Sequence, residues 1–225
     1  MTLRSILSTE LTACRTQGNV ADLLQVSLPR LRFHLYSRRR PQYREFDIPK
    51  ASGGTRTIYA PPPLLKYWQR LLLDCFNSLY SPKPSVHGFV ANRSRSVLTN
   101  ASQHVSRRIV LNLDISAFFP SIHFGRVKGL FQSYPFGLNE EVASTLAQIC
   151  THEGALPQGA PTSPIISNFV CRNLDRELWR LAVRHSCVYS RYADDITFST
   201  NQHHLPKGVV ELSTPESKVA RLGPE

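Results

Sequence analysis

The spacing of apolar residues predicts helices over much of the chain. Leucines across residues 20–37 follow a helical period that breaks near Pro29, so we expect one helix to end and another to begin there. The apolar residues from Leu64 to Leu79 fall on one helical face and predict a core helix. Further helices are expected at 94–107, 123–133, 139–150, from Ser163 to Leu181, and from Ser213 or Thr214 in the tail.

Shorter segments have the composition of strands. YREFDIP and TRTIYAP flank Ser52–Gly53–Gly54, which predicts a β-hairpin with a flexible tip. The run IVLNLDI at 109–115 is apolar except for Asn112 and Asp114, as in a strand buried on both faces. CVYSRY and ITFST are separated by so few residues that they predict a tight hairpin.

Composition excludes several classes of protein. The chain has 225 residues, of which 41% are hydrophobic and 19% charged, as in an ordinary globular domain. Its five cysteines include no C-x-x-C pair, so neither a disulfide framework nor a zinc cluster is indicated. No apolar run is long enough to cross a bilayer, and Glu10 interrupts the first apolar stretch too early for a signal peptide. We therefore expect a cytoplasmic protein with no membrane partner.

Charge is distributed unevenly along the chain. Residues 1–112 contain 17 Lys or Arg and 5 Asp or Glu, whereas residues 113–225 contain 10 and 11. A basic half beside a nearly neutral, acid-bearing half indicates a polyanionic partner that one half holds and the other acts on. A merely solubilising basic face is the alternative.

Three aspartates interrupt otherwise apolar β-elements. Asp114 ends one predicted strand, and Asp194–Asp195 lie at the tip of the last hairpin. Neighbouring strands would bring them together, and converging carboxylates need a cation such as Mg²⁺ to remain ionised. Two such ions can support a displacement at phosphorus. For the Asp-Asp pair alone, a simple turn is the more ordinary interpretation.

The surrounding motifs change that balance. RYADDITFS, LNLDISAFFPSI, LPQGAPTSPIISN and IPKASGGTRTI occur in the order and at the spacings found in reverse transcriptases, and the resemblance extends from about Leu23 to about Thr200. HGF at 87–89 and the element Asn100–Ala101–x–x–His104 resemble the retron group of bacterial reverse transcriptases.

The resemblance implies an α+β fold with two parts of a right-handed polymerase. Fingers, with helices and a β-hairpin, would occupy 1–105, and a palm with an antiparallel sheet backed by helices would occupy 106–225. Only 30 residues follow Asp195, so we expect the thumb to be absent from this chain.

The resemblance also assigns roles to single residues. Asp114, Asp194 and Asp195 would be the catalytic triad that binds two Mg²⁺ ions. Contacts to the deoxynucleoside triphosphate would come from Lys50, Arg56, Phe119, Gln158 and Gly159, with Phe119 excluding ribonucleotides. Lys50 and Arg56 could instead be solvated strand residues, and Phe119 could simply pack in the core. Nucleic-acid contacts are expected from Arg38, Arg39, Arg40, Arg93, Arg95, Asn100, His104 and Tyr192, although Asn100 and His104 could equally satisfy local backbone groups.

The function implied is RNA-directed DNA synthesis in a retron. The enzyme would use its own structured non-coding RNA as template and primer, leave a branched RNA–DNA product, and serve in defence against phage with a separate effector protein. The alternatives are a group II intron-like or other bacterial reverse transcriptase, an RNA-dependent RNA polymerase, which Phe119 disfavours, and a non-catalytic nucleic-acid-binding subunit.

Overall fold

The computed structural model describes residues 3–39, 41–49, 53–91, 94–210 and 218–221. Its helices are α1 Leu3–Ala13, α2 Gln17–Leu23, α3 Leu28–Tyr36, α4 Pro63–Leu79, α5 Val97–Ala101, α6 Phe124–Gln132, α7 Glu140–Cys150, α8 Ser163–Val170, α9 Arg172–Arg184 and α10 Lys207–Val210. Its strands are β1 Arg44–Pro49, β2 Thr55–Ala60, β3 Ile109–Asp114, β4 Val188–Tyr192, β5 Asp195–Thr200 and β6 Lys218–Arg221. Residues Ser102–His104 form a 3₁₀ turn after α5. None of the described helices is long and apolar enough to cross a membrane.

The chain divides into two compact units, each built from two segments. The first unit comprises 1–81 and 119–170, and the second comprises 82–118 and 171–225. These boundaries differ from the single division at 105/106 expected from the sequence. The mixture of helices and antiparallel sheets is the α+β class that the sequence predicts.

The first unit is a helical core with a β-hairpin. Its core is formed by the apolar faces of α1 to α4 and α6 to α8, with Trp68 and Phe76 fully buried. Phe76 contacts the rings of Phe131 and Phe136 at centroid distances of 5.4 and 5.5 Å, and such pairs add to the free energy gained from burial. The hairpin of β1 and β2 pairs Arg44 with Ala60.

The second unit is a four-stranded antiparallel sheet in the order β4–β5–β3–β6, with α9 packed on it. Leu111, Phe198 and Tyr189 on the sheet meet Leu178 and Ala182 of α9 in a second apolar core. This sheet positions the aspartates, because β3 and the β4–β5 hairpin carry all three of them.

Several sequence predictions need correction. Val97, Ala101 and Val105 were expected on one side of a helix over 94–107, but the α-helix covers only Val97–Ala101 and all three residues are exposed. The long helix expected after Ser163 is two helices, because Cys171 interrupts it between α8 and α9. The helix start expected at Ser213 or Thr214 lies outside the described residues, and the later strand β6 was not predicted.

Candidate active site

Asp114 and Asp195 are directly opposed in the sheet. They are cross-strand partners in the antiparallel pairing of β3 with β5. The next residue, Ile115, donates its backbone N–H to the carbonyl of Asp194 at 3.2 Å, so the end of β3 is joined to the hairpin tip as well. Asp114 and Asp195 are 81 positions apart in the sequence, and the sheet brings them together.

The hairpin tip is a two-residue turn. Tyr192 pairs with Asp195, which leaves Ala193 and Asp194 as the turn residues. Ala193 has a φ of 61°, in the left-handed region that non-glycine residues adopt at a cost. A Cβ atom at Gly88 would lie 2.2 Å from the Ala193 nitrogen and 2.8 Å from the Tyr192 carbonyl carbon, so only glycine permits this approach. Gly88 therefore supports the turn from outside the sheet.

The three carboxylates influence one another. Partial loss of hydration, followed by the charges of Asp194 and Asp114, raises the pKa of Asp195. Among the described residues, no three His, Cys, Asp or Glu side chains already form a group arranged to hold a metal ion. The donors nevertheless suit a hard divalent cation, because carboxylate oxygens are the ligands Mg²⁺ prefers and a cation would relieve their repulsion.

A buried ion pair lies beneath the hairpin. Arg191 of β4 donates from Nε and Nη2 to the two carboxylate oxygens of Asp175 in α9, at 2.7 and 2.9 Å. Both side chains are almost fully buried, at 0% and 1% exposure. The remaining Nη1 donates to the Ala193 carbonyl at 2.7 Å, and the Tyr189 hydroxyl donates to Asp175 at 2.7 Å. The network thus joins α9 to the turn that carries Asp194.

His104 is held between the two strands of the same hairpin. Its Nδ1 lies 2.7 Å from the Ser199 hydroxyl of β5, and its Nε2 lies 2.7 Å from the Ser190 hydroxyl of β4. In a neutral imidazole one nitrogen donates and the other accepts, and both serines can supply the matching role. Burial, with the nearby charge of Arg107, lowers the pKa of His104 to about 4.

His87 is a second buried histidine, and its side chain is held by residues in and around α5. The Thr99 hydroxyl donates to the Ser96 carbonyl at 3.0 Å, which leaves its oxygen to accept from His87 Nδ1 at 2.8 Å. The opposite nitrogen, Nε2, faces the Gln103 amide and the Arg95 guanidinium. Burial and the Arg95 charge lower the pKa of His87. The two elements that resemble retron enzymes, HGF and N-A-x-x-H, therefore both support the aspartate-bearing hairpin.

The expected nucleotide contacts lie in the first unit. Arg56 is exposed on β2, opposite Ile48. Gln158 accepts a backbone hydrogen bond from Tyr59 of β2 at 2.7 Å. A Cβ at Gly159, whose φ is 119°, would lie 2.8 Å from both Ile58 and the Tyr59 carbonyl, so the close approach that this glycine permits is to β2.

The other two residues expected to contact the nucleotide are Phe119 and Lys50. Phe119 is half-buried and packs against the core of the first unit, while its neighbour Phe118 is buried. Lys50 lies outside the described residues.

The expected nucleic-acid contacts divide into three groups. Arg38 and Arg39 are exposed, and Tyr192 is half-buried. Arg40 and Arg93 lie outside the described residues. The side chains of the third group are buried or make contacts within the protein; this group consists of Arg95, Asn100 and His104.

The structure does not support RNA contacts by His104 or Arg95. His104 is 6% exposed, and both of its ring nitrogens contact serine hydroxyls of the β4–β5 hairpin rather than local backbone groups. Arg95 donates to the Pro84 carbonyl and contacts His87. Asn100 is half-buried, and its side-chain oxygen is buried without a hydrogen-bond partner.

Comparison with known proteins identifies the family. Residues 48–214 match the family described as reverse transcriptase (RNA-dependent DNA polymerase). The chain belongs to the reverse transcriptase family. Within it, the chain is 42% identical over 206 residues to the retron Mx65 reverse transcriptase and 37% identical over 218 residues to the retron Mx162 enzyme, both of Myxococcus xanthus. It is 36% identical over 183 residues to the retron Ec86 reverse transcriptase of Escherichia coli. The resemblance to the retron group is confirmed.

The matches differ in how much of each protein they cover. The alignments include 82%, 88% and 80% of this chain but 47%, 44% and 56% of those three reverse transcriptases. The chain thus spans about half the length of the curated relatives it matches. A solved chain from a partial Cas6-RT-Cas1–Cas2 complex aligns with 89% of this chain and 37% of its own, at 20% identity and a TM-score of 0.41.

Sequence reasoning missed the residues that support the site. Asp175 lies in the helix predicted from Ser163 to Leu181, and the oppositely charged Arg191 lies in the predicted strand CVYSRY. Charged residues at such positions are seldom buried unless paired, and this signal could have identified them.

Proposed function

We propose that the protein catalyses RNA-directed DNA synthesis of the retron type. The observation that carries the proposal is the pairing of Asp114 with Asp195 beside Asp194, within a chain of the reverse transcriptase family. A primer hydroxyl would attack the α-phosphate of a deoxynucleoside triphosphate and release pyrophosphate. In the retron setting the template and primer would be a structured non-coding RNA, and the product a branched RNA–DNA molecule.

Asp114, Asp194 and Asp195 would hold two Mg²⁺ ions. Bound there, such ions activate the attacking hydroxyl and stabilise the leaving oxygen. Neighbouring residues would fix the positions of these carboxylates before substrate binds. Arg191 donates a hydrogen bond to the carbonyl of Ala193, and His104 contacts both β4 and β5. Catalysis then depends on preorganised electrostatics, without a covalent enzyme intermediate.

The nucleotide would be held by the residues that the resemblance to reverse transcriptases assigns to it. Arg56, with Lys50, would contact the triphosphate, and a guanidinium suits a phosphate because it donates two parallel hydrogen bonds. Gln158 and Gly159 would line the base pocket, and Phe119 would exclude a ribose 2′-OH. We further propose action in the bacterial cytoplasm, with an effector protein, in defence against phage.

The test is primer extension on an RNA template, which compares the original protein with its Asp194→Asn variant. We expect Asp194→Asn to remove at least about 99% of the activity, because losing one central electrostatic group costs about 10²–10³-fold. Asp22→Asn, an exposed carboxylate on α2, is the matched control and should keep full activity. Retention of more than about a hundredth of the activity by Asp194→Asn would contradict its role as a metal ligand.

A further inference from the structure

One face of α9 combines exposed arginines with an exposed tryptophan. Trp179 is 52% exposed, and Val183, one turn later, is 57% exposed. Arg172, Arg176, Arg180 and Arg184 recur every fourth residue. The opposite face of α9 contributes Leu178 and Ala182 to the core of the second unit, so the helix is anchored and its outer face is presented to solvent.

The geometry of this face suits a strand of nucleic acid. Residues four apart on a helix are separated by about 6 Å along its axis, which is comparable to the distance between successive phosphates of an extended strand. Trp179 lies among these arginines and offers a ring on which a base can stack. Base stacking on an aromatic side chain combined with backbone contacts by cations is how proteins hold unpaired nucleotides.

Glu177 moderates the charge of the face. Its carboxylate accepts hydrogen bonds from Arg176 at 3.0 Å and from Arg180 at 3.1 Å. All three side chains are about half exposed, so a phosphate can compete for the two guanidinium groups. Both arginines are thus held close together before any ligand arrives.

We propose that this outer face of α9 is a binding site for unpaired RNA nucleotides. Trp179 stacks on a base, and Arg176 and Arg180 contact the flanking phosphates. This site is additional to the aspartate site and to the basic residues expected in the first half of the chain. RNA binding at this face requires neither a metal ion nor a deoxynucleoside triphosphate, so it can be tested independently of polymerase activity. Asp194→Asn should leave this RNA binding unchanged.

The chain contains a built-in reporter for this site. It has two tryptophans, and Trp68 is buried at 1% exposure whereas Trp179 is exposed. Titration of the 225-residue chain with an oligoadenylate of about 12 nucleotides should quench the emission of Trp179 by stacking. Iodide should quench the same emission in the free chain and less so in the complex. Unchanged tryptophan emission at RNA saturation would overturn the proposal.

Variants of α9 test the assignment by their RNA affinity, measured by anisotropy of the labelled oligonucleotide. Trp179→Ala should weaken binding about tenfold, whereas Leu174→Ala, an exposed apolar residue on the other side of α9, should not. Arg176→Gln with Arg180→Gln should weaken binding and flatten its salt dependence, whereas the double lysine variant should largely retain it. Glu177→Gln should strengthen binding because it frees both arginines.

The sign of the Glu177→Gln effect is decisive. A tighter complex supports the site. If Trp179→Ala and Glu177→Gln both leave RNA affinity unaltered, the proposal is wrong.

Discussion

Asp175 and Arg191 form a bidentate ion pair that is sealed from solvent, with hydrogen bonds of 2.7 and 2.9 Å. The pair joins the helix α9 to the strand that leads into the aspartate hairpin. A third hydrogen bond, from Arg191 to the Ala193 carbonyl, makes the conformation of the turn depend on this buried pair.

Removing one partner of this pair should be severe. Asp175→Ala leaves a buried guanidinium uncompensated, and we expect the free energy of unfolding to fall by about 3–5 kcal/mol. Urea denaturation of the chain, followed by circular dichroism, measures the change. Glu177→Ala removes an exposed carboxylate from the same helix and should have little effect. Equal losses in the two variants would show that the burial of Asp175 contributes nothing.

His104 should make the protein sensitive to mild acid. Its pKa is lowered from 6.5 to about 4 in the folded chain, so between these values the unfolded chain binds a proton that the folded chain does not. Stability should therefore fall as pH decreases through this window, by up to about 3 kcal/mol. Unfolding midpoints measured from pH 7 to pH 4 test this.

His104→Gln provides the comparison. We expect it to be less stable at pH 7, because the hydrogen bonds to Ser190 and Ser199 are disturbed, but to lose less stability on acidification. His203→Gln, at an exposed loop position, should follow the original protein at every pH. An identical pH profile for His104→Gln would exclude this histidine as the cause.

Two glycine substitutions should act in opposite directions. Gly88→Ala places a methyl group against the backbone of Ala193 and should destabilise the chain and reduce polymerase activity by more than about tenfold, because small displacements of catalytic groups are costly. Gly129→Ala, in α6, meets no atom within 4 Å and should stabilise the chain by about 0.5–1 kcal/mol. Thermal unfolding and primer extension distinguish them, and a harmless Gly88→Ala would refute the steric explanation.

Phe119 should determine sugar selectivity if it lies under the ribose. Phe119→Val should increase the use of ribonucleotides relative to deoxynucleotides while synthesis continues. The ratio of kcat/KM for the two substrates is the measurement. Phe118→Val, at the adjacent buried position, should lower stability without changing that ratio. If neither variant changes the ratio, Phe119 contributes only to the core.

The sequence predicted that the three aspartates come together, but it did not predict the residues that support them. Asp114 and the Asp194–Asp195 pair end or interrupt short apolar strands, a local signal, and antiparallel pairing is the simplest way to join such strands. The Asp175–Arg191 pair depends on how α9 packs on β4, and local spacing carries no information about that. The break at Cys171 was missed for a related reason, since apolar positions continue on both sides of it.

His104 illustrates a different limit. The sequence showed a motif and left its purpose open between RNA recognition and local hydrogen bonding. The decision required knowing that Ser190 and Ser199 are diagonal neighbours on β4 and β5, because the strand register pairs Ser190 with Thr197 and Ser199 with Val188. Likewise, the exposed side of α9 could not be distinguished from a core face by its tryptophan alone.

The segment before Gly88 has a consequence for solubility. β4 is an edge strand of its sheet, and an uncovered edge can pair with another chain and begin aggregation. Here Arg191 donates its backbone N–H to Ser85 at 2.8 Å and accepts one from His87 at 2.9 Å, so this short segment covers part of that edge. Changes that detach residues 85–87 would therefore expose this edge and promote aggregation of the protein.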